Sequence, residues 1–309
     1  MQISIVIVNY NTSELLVNCI NSIYNQTNIY DYEIIIVDNN SQDDSVMQIR
    51  KKFPEVIVIE NEENLGYAKA NNQGFKVAQG EYLLVLNSDT IILPGAIDKT
   101  YSFMVNNPQT GVIGCKLLNY DKSLQPSCRS FPSILNYFSE SLFLYKIFPK
   151  SSFLGKPYMS FMNYDKVNEV DVVMGAFMMI KRETLEQTGY FDENFFMYSE
   201  ETDLCFRIKQ KGWKIFYYPE AQIIHLGGGS SEKTPVEMFI ELHKSNFKFC
   251  NKHHKNNYAL IEKWILFLGI LIRSIHAGIM KIIIADSKSK LRFNRYITVL
   301  KWYFSRNKS

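Results

Sequence analysis

Short apolar runs alternate with amphipathic stretches from the start of the chain to about residue 116. ISIVIVN (residues 3–9) is apolar at both sets of alternating positions, the pattern of a strand buried on both faces. Asn11 or Thr12 then offers a cap to a helix that buries Leu15, Leu16, Cys19, Ile20 and Ile23. Residues 33–37 predict a second strand closing in the polar run Asp38-Asn39-Asn40-Ser41, and residues 43–53 a helix. Strands follow at 56–60, 82–87 and 112–116, with helices at 68–79 and from Pro94-Gly95 to about 106. This alternation predicts an α/β fold with a parallel, doubly wound sheet. Ligands of such sheets collect at the carboxyl ends of the strands. Here loops 9–12, 38–41 and 87–90 stand at those ends, and all are polar.

The second half is less periodic. Residues 118–166, rich in Ser, Pro, Tyr and Phe, predict a long loop region with short helices, of a length usually functional or inserted. Residues 170–174 and 177–181 are strand-like around Gly175, as are 215–218 and 221–225 ahead of Gly227-Gly228-Gly229-Ser230-Ser231. A helix is predicted over 235–250. Residues 189–213 read GYFDENFFMYSEETDLCFRIKQKGW. Glu200, Glu201 and Asp203 open a helix that buries Leu204, Cys205 and Ile208 and ends at Gly212. Carboxylates there have an ordinary use, offsetting the helix dipole, and Asp203 with Arg207 has the i,i+4 spacing of an ion pair. In LNSDT (86–90) a carboxylate at the sheet's rim can hold a divalent cation. Asn87 and Asp89, two apart on extended backbone, would face one ion; an Asx turn closed by Asp89 is the alternative.

Composition narrows the class. With 309 residues, 46% of them hydrophobic, the chain can bury a sizeable core as two domains or as one α/β domain with an elaborated end. Cys19, Cys115, Cys128, Cys205 and Cys250 form no C-x-x-C pair, which suits reduced thiols and a cytoplasmic location. MQISIVIVNYN lacks the basic start and long apolar stretch of a signal peptide. From Lys255 onward eleven Lys and Arg face only Glu262 and Asp286, a net +9, which leaves the first 254 residues at −6 within the chain's +3. Residues 264–272 (WILFLGILI) are apolar, but Arg273, His276 and Lys281 interrupt them short of a span of roughly 20 residues. Two readings are open: a helix packed on the core, or an interfacial helix with a basic tail (Lys288, Lys290, Arg292, Arg295, Lys301, Arg306, Lys308) on anionic lipid. Trp264, Trp302, Tyr303 and Phe304 beside those charges favour the second. Nucleic acid fits poorly with an acidic body and no binding motif.

Taken together, IVIVNYNT, IIVDNNSQDDS, ENLGYAKANNQG, LLVLNSDT, MGAFMMIKRETLEQTGYFDENFFMYSEETDLCFR, KGW and IIHLGGGSS follow one another in an order that resembles the inverting GT-A glycosyltransferases of family 2. The resemblance is strongest to the rhamnosyltransferase branch, with its O-antigen and cell-wall transferases. It implies a Rossmann-like nucleotide-sugar-binding half (1–117) and an acceptor and catalytic half (118–254); composition adds a helical, basic extension (255–309), membrane-associating on the favoured of its two readings. It further implies nucleobase contacts from Tyr10, Asp38 and Asn39. Residues 64–74 would lie along the nucleoside, with Asn64, Lys69 and Asn71 in contact and Gly66 and Gly74 allowing close approach. Asn87-Ser88-Asp89 stands where the family has its metal-binding D-x-D, Asn replacing the first acid. His225 stands where the family places a histidine near metal and diphosphate, although a histidine ending a strand is often structural. Glu201 matches the catalytic base but is one methylene longer than the usual Asp, so Glu200 and Asp203 stay in play. Gly175 and Trp213 fall on the acceptor side. The implied reaction needs Mg²⁺ or Mn²⁺, a dTDP- or UDP-sugar (dTDP-rhamnose favoured) and a lipid-linked glycan acceptor at the inner face of the cell membrane, with loop 227–231 closing over the diphosphate. A nucleotidyltransferase and an inactive membrane scaffold are the alternatives.

Overall fold

The computed structural model describes residues 1–28, 31–227, 235–254, 256–284 and 287–305. It divides into two compact units, Met1–Phe131 with Asn163–Glu232, and Pro132–Met162 with Lys233–Ser309. The expected cut after residue 254 therefore gives way to one that sends 132–162 and 233–254 with the C-terminal helices. The physical reason is a shared core: Tyr137, Phe247, Cys250, Leu266, Ile270, Val299 and Tyr303 bury one another.

The first unit runs β1 (Ile3–Asn9), α1 (Ser13–Gln26), β2 (Tyr32–Asp38), α2 (Ser45–Lys52), β3 (Ile57–Glu60), α3 (Tyr67–Val77), β4 (Tyr82–Asn87), β5 (Thr90–Ile92), α4 (Ala96–Asn106) and β6 (Thr110–Leu118). Two short strands, β7 (Leu124–Gln125) and β8 (Cys128–Arg129), precede α5 (Ile134–Ser141) and α6 (Leu144–Ile147) of the second unit. The chain returns through β9 (Asn168–Glu169), β10 (Val172–Val173), β11 (Phe177–Lys181), α7 (Arg182–Thr188), α8 (Glu200–Gln210) and β12 (Lys214–His225). Among the described residues the main sheet has the order β3-β2-β1-β4-β11-β6-β12-β5. β3, β2, β1 and β4 are parallel, β11 is antiparallel to both its neighbours, and β12 runs parallel to β6 and antiparallel to β5. Chain order reverses at β1, so the ends of β1 and β4 form a switch point where α/β sheets bind ligands.

Alternate residues of each strand feed opposite faces of the sheet. Ile5 and Ile7 of β1 join Leu16, Cys19 and Ile20 of α1 and Ile97 of α4 in one core. Val6 faces the other way, against α3. A Cβ on Gly74 would lie 2.4 Å from Val6 Cγ1, so this glycine lets the helix seat on the sheet and serves no ligand directly. Thr12 stands at the start of α1 without capping it through its side chain; its hydroxyl lies 2.6 Å from Asn9 Oδ1 instead. The two strands expected at 215–218 and 221–225 are one strand, irregular between Tyr218 and Gln222 where Pro219 cannot donate to the ladder.

The second unit adds α9 (Pro235–His253), α10 (Asn256–Ile283) and α11 (Ser287–Ser305) to α5 and α6. Trp302 and Tyr303 pack internally, against Phe247 and, for Tyr303, Phe267, so these two rings are not the lipid-facing aromatics the sequence suggested. His243 is buried in α9 with neither ring nitrogen hydrogen-bonded. Burial, with the Arg273 charge second, lowers its pKa to about 3. A neutral His with a depressed folded pKa contributes stability that is complete above about 6.5 and is lost as pH falls toward the folded value. His243→Leu should therefore flatten the fall in melting temperature between pH 7 and pH 5; an unchanged slope in calorimetry would show that His243 does not carry it.

Candidate active site

β4 delivers Asn87 to the rim of the sheet, Ser88 and Asp89 turn the chain, and β5 then pairs with β12, placing Thr90 opposite His225. Asp89 is thus on a turn and not on the extended backbone expected for it, yet it converges with Asn87 all the same. His225 Nε2 lies 3.3 Å from Asn87 Nδ2 and 3.4 Å from Asp89 Oδ1. The Leu226 N–H donates to the Asp89 carbonyl at 3.0 Å, locking the two strand ends together. Gln125 fixes the ring: its Oε1 is 2.6 Å from Nδ1, while its Nε2 donates to Asn119 Oδ1 and to the His225 carbonyl. Gln125 thus aims Nε2 at Asn87 Nδ2 and Asp89 Oδ1, where imidazole and carboxylate could share one cation. Two ligands of one divalent ion at about 2.1 Å stand roughly 3 Å apart, close to the observed separation. The donor set fits a metal, which Asp89 and His225 would hold with Asn87 beside them.

Tyr67 joins this corner to the acidic helix. Its hydroxyl is 3.2 Å from Asn87 Oδ1 and 3.0 Å from the Gly175 carbonyl. The Gly175 N–H in turn donates to Glu201 Oε1 at 3.3 Å. A Cβ on Gly175 would sit 2.8 Å from the Tyr67 oxygen and 3.3 Å from Glu201 Oε1, so the contact needs a residue without a side chain. Tyr198 and Ser199, with φ of 69° and 64°, precede α8 and turn its first residues toward Gly175. Two consecutive non-glycine residues in the left-handed region are costly, of order 1–3 kcal/mol each, and such strain concentrates at functional sites.

The three carboxylates separate cleanly. Asp203 is 0% exposed and salt-bridged to Arg207, whose guanidinium also donates to the carbonyls of Thr188, Gly189 and Tyr190. It ties helix to turn and is not placed to take a substrate proton. Glu200 is buried, and Oε2 has no hydrogen-bond partner. Burial first, then the charge of Glu201, holds its carboxyl well above the usual range, in the neutral form. Glu201, half-buried, is left as the carboxylate in contact with the Tyr67–Gly175 junction.

On the switch-point side Asp38 accepts from Asn9 Nδ2, the Ser41 hydroxyl and the Ser41 N–H at 2.6–2.8 Å, fixing loops 9–12 and 38–41 to each other. Asn39 donates to the Gly66 carbonyl and accepts from Asn61 Nδ2. Ser88 Oγ lies 2.8 Å from the Thr12 hydroxyl across the switch point, and Tyr10 is exposed beside it. Asn64 accepts from the Gly66 N–H in an Asx turn, and Lys69 is exposed on α3. Asn71 is buried and donates to the Tyr67 carbonyl, which steadies α3, while its Oδ1 has no hydrogen-bond partner. Gly66 has φ +83°, and a Cβ there would be 2.4 Å from the Phe196 carbonyl; the close approach it allows is to residue 196, whose carbonyl accepts from the Tyr67 N–H. Trp213 precedes β12 and donates to Gln187, at the end of that strand opposite His225, up to about 40 Å away at about 3.3 Å per residue. It does not join the other site residues. Of loop 227–231, all but Gly227 lies outside the described residues. Reading from sequence missed Tyr67, Thr12 and Gln125: the first two sit in segments whose resemblance was recognised, while Gln125 lies in an aperiodic stretch with no signal.

The family model for glycosyl transferase family 2 matches residues 4–189, more than half of the chain. This chain is a family 2 glycosyltransferase. The N-acetylglucosaminyl-diphospho-decaprenol L-rhamnosyltransferase of Mycobacterium tuberculosis is 26% identical over 258 residues, covering 78% of this chain and 81% of the relative. A mannosyltransferase from Pyrobaculum calidifontis, solved with GDP-Man and Mn²⁺, superposes with a TM-score of 0.60 at 14% identity over 97% of this chain and 85% of that one. GalNAc-T7, solved with UDP, GalNAc and Mn²⁺, gives 0.55 at 15% identity over 78% of this chain and 48% of its own. The glycosyltransferase has the GT-A fold with a helical C-terminal extension.

Because one hydroxyl bridges Asn87 and Gly175, Tyr67→Phe should leave the glycosyltransferase folded but remove the single proton that two carbonyl oxygens share, about 1–3 kcal/mol. The expected result is a fall in kcat of about tenfold or more with a melting temperature within a few degrees of wild type. Unaltered kcat would mean that the bridge does not position the site.

Proposed function

We propose that this glycosyltransferase moves a sugar, rhamnose in the favoured case, from a dTDP- or UDP-linked donor to a hydroxyl of a lipid-linked glycan, with inversion. The observation that carries the reading is the unbroken run of contacts from Asp89 and His225 through Asn87, Tyr67 and Gly175 to Glu201. It joins a cation-suited corner to a carboxylate. The name of the mycobacterial relative, a rhamnosyltransferase acting on a lipid-linked acceptor, supports the choice of donor and acceptor.

Asp89 and His225 would hold Mg²⁺ or Mn²⁺, which would supply charge neutralisation to the diphosphate leaving group. Tyr10 and the Asp38–Asn39 loop take the nucleobase, with Ser88 and Thr12 at the switch point between base and diphosphate. Glu201 accepts the proton of the acceptor hydroxyl as its oxygen forms a bond to the anomeric carbon. The bond from that carbon to the diphosphate breaks on the opposite face, and its electron pair leaves with the nucleotide. Glu200, held neutral, adds no second charge beside the base and is a poor base itself. Proton transfer of this kind contributes typically 10²–10⁴-fold. Glu201→Gln should therefore lower kcat by about a thousandfold, and Glu200→Gln by less than about tenfold. The measurement is nucleoside diphosphate release across a panel of donors, with and without Mg²⁺ or Mn²⁺. Equal losses in the two variants would reject Glu201 as the base. Pyrophosphate among the products would turn the assignment to nucleotidyl transfer.

The C-terminal helices support an interfacial site of action. Leu260–Ile283 is long and apolar enough to cross a membrane by length and composition, where the sequence had suggested a stretch too short. Most of its exposed apolar residues, however, form one stripe at helical spacing: Trp264, Leu268, Ile272, Ile275, Ile279 and Ile283. The opposite face packs within the helical unit through Leu266, Ile270 and Ala277. Lys290, Arg292 and Lys301 of α11 are exposed. One apolar stripe with cations nearby suits a helix lying in the plane of an anionic bilayer. Sedimentation with phosphatidylglycerol vesicles should bring the protein down, and phosphatidylcholine vesicles should not. The double variant Leu268→Glu, Ile275→Glu should weaken that binding about tenfold or more. Equal binding by the variant would reject the stripe as the lipid contact.

A further inference from the structure

The helical unit holds a cluster that sugar transfer does not use. Cys250 and His254 are one helical turn apart, at the end of α9 and just beyond it, and Glu262 faces them from α10. The Cys250 sulfur, a His254 ring nitrogen and a Glu262 carboxylate oxygen all lie within 4.8 Å of one another. His254 Nδ1 is 3.2 Å from Glu262 Oε2. The Tyr137 hydroxyl is 3.4 Å from the Cys250 sulfur. Glu262 is 0% exposed, yet its second oxygen, Oε1, is buried with no hydrogen-bond partner. A buried carboxyl with an orphaned oxygen is costly, and the contacts of Glu262 with His254 and the Cys250 thiol leave that oxygen without a partner.

We propose that Cys250, His254 and Glu262 form a structural zinc site that staples the end of α9 to α10. The ligand chemistry selects the ion: a thiolate with an imidazole and a carboxylate suits Zn²⁺, whereas Mg²⁺ and Ca²⁺ take oxygen ligands. Around tetrahedral Zn²⁺, bonds of about 2.0–2.3 Å put the sulfur about 3.5 Å from the other ligand atoms and those two about 3.3 Å apart, so no ligand pair needs to close by more than about 1.3 Å. His254 lies at its rim, 17% of the side chain exposed, where water can reach the fourth position. Binding releases the thiol proton to solvent, and the orphaned Glu262 oxygen gains a partner.

Cobalt separates this site from the catalytic corner, because Asp89 and His225 offer no sulfur. The full chain, stripped with a chelator and titrated with Co²⁺, should develop a near-ultraviolet thiolate-to-cobalt charge-transfer band that saturates at one equivalent and is bleached by Zn²⁺. Cys250→Ser should abolish the band, Asp89→Ala should retain it, and Glu262→Gln should weaken Zn²⁺ binding about tenfold or more. His254→Gln, at the partly open rim, should weaken it comparably in a protein whose fold is checked by circular dichroism, which covers the case of a misfolded Cys250 variant. No charge-transfer band in the wild-type chain, a band that persists in Cys250→Ser, or undiminished affinity in His254→Gln would each overturn the proposal.

Discussion

Antiparallel pairing of β5 with the end of β12 is the constraint on which the site depends. β5 is three residues long and follows Asp89 directly. By adding to β12 it carries the carboxylate that follows β4 across to His225, which β4 reaches only through its last residue, Asn87. Without that pairing Asp89 would be an ordinary turn residue and His225 a strand terminus. Gln125 completes the arrangement from a two-residue strand beside β6, holding the ring so that one nitrogen is spoken for and the other faces the carboxylate.

Tyr67 performs the same kind of service between the rim of the sheet and the acidic helix. It is the first residue of α3, and its backbone N–H is capped by the Phe196 carbonyl while its hydroxyl reaches Asn87 and Gly175. One side chain thus registers its own helix with segments 20 and 108 positions further along the chain. The left-handed turn at Tyr198-Ser199 works against the chain's own preference, and the contacts on either side of it hold it there. Among the acids that follow, environment assigns the work: Arg207 occupies Asp203, burial neutralises Glu200, and Glu201 remains half-buried at the junction.

The helical unit shows how one amphipathic segment serves two ends. α10 presents an apolar stripe outward and buries Glu262 and Ser274 inward among Leu266, Ile270 and Ala277. A polar group on the buried face is expensive unless it has a partner, which is why the surroundings of Glu262 bear on what this unit binds. Tyr303, by contrast, reads in sequence as part of a basic aromatic tail and is in fact core.

The sequence by itself determined the strand–helix alternation, because burial on both faces of a parallel sheet leaves continuous apolar runs and amphipathic helices leave a 3.6-residue period. It also marked the polar loops 9–12, 38–41 and 87–90, since strand ends are where the hydrophobic pattern must break. Its ordered motifs were enough to place the chain in its family. Only the tertiary structure decided which polar residues meet. Glu200, Glu201 and Asp203 were all candidates for the base in sequence, and they differ in the fold because Arg207 pairs with Asp203, burial encloses Glu200 and Gly175 meets Glu201. Gly66 serves Phe196, and Trp213 lies at the wrong end of its strand, facts that depend on packing partners distant in sequence. Periodicity reports how a residue relates to its own element; hydrogen bonds between elements are set by how those elements pack, and no local pattern encodes them.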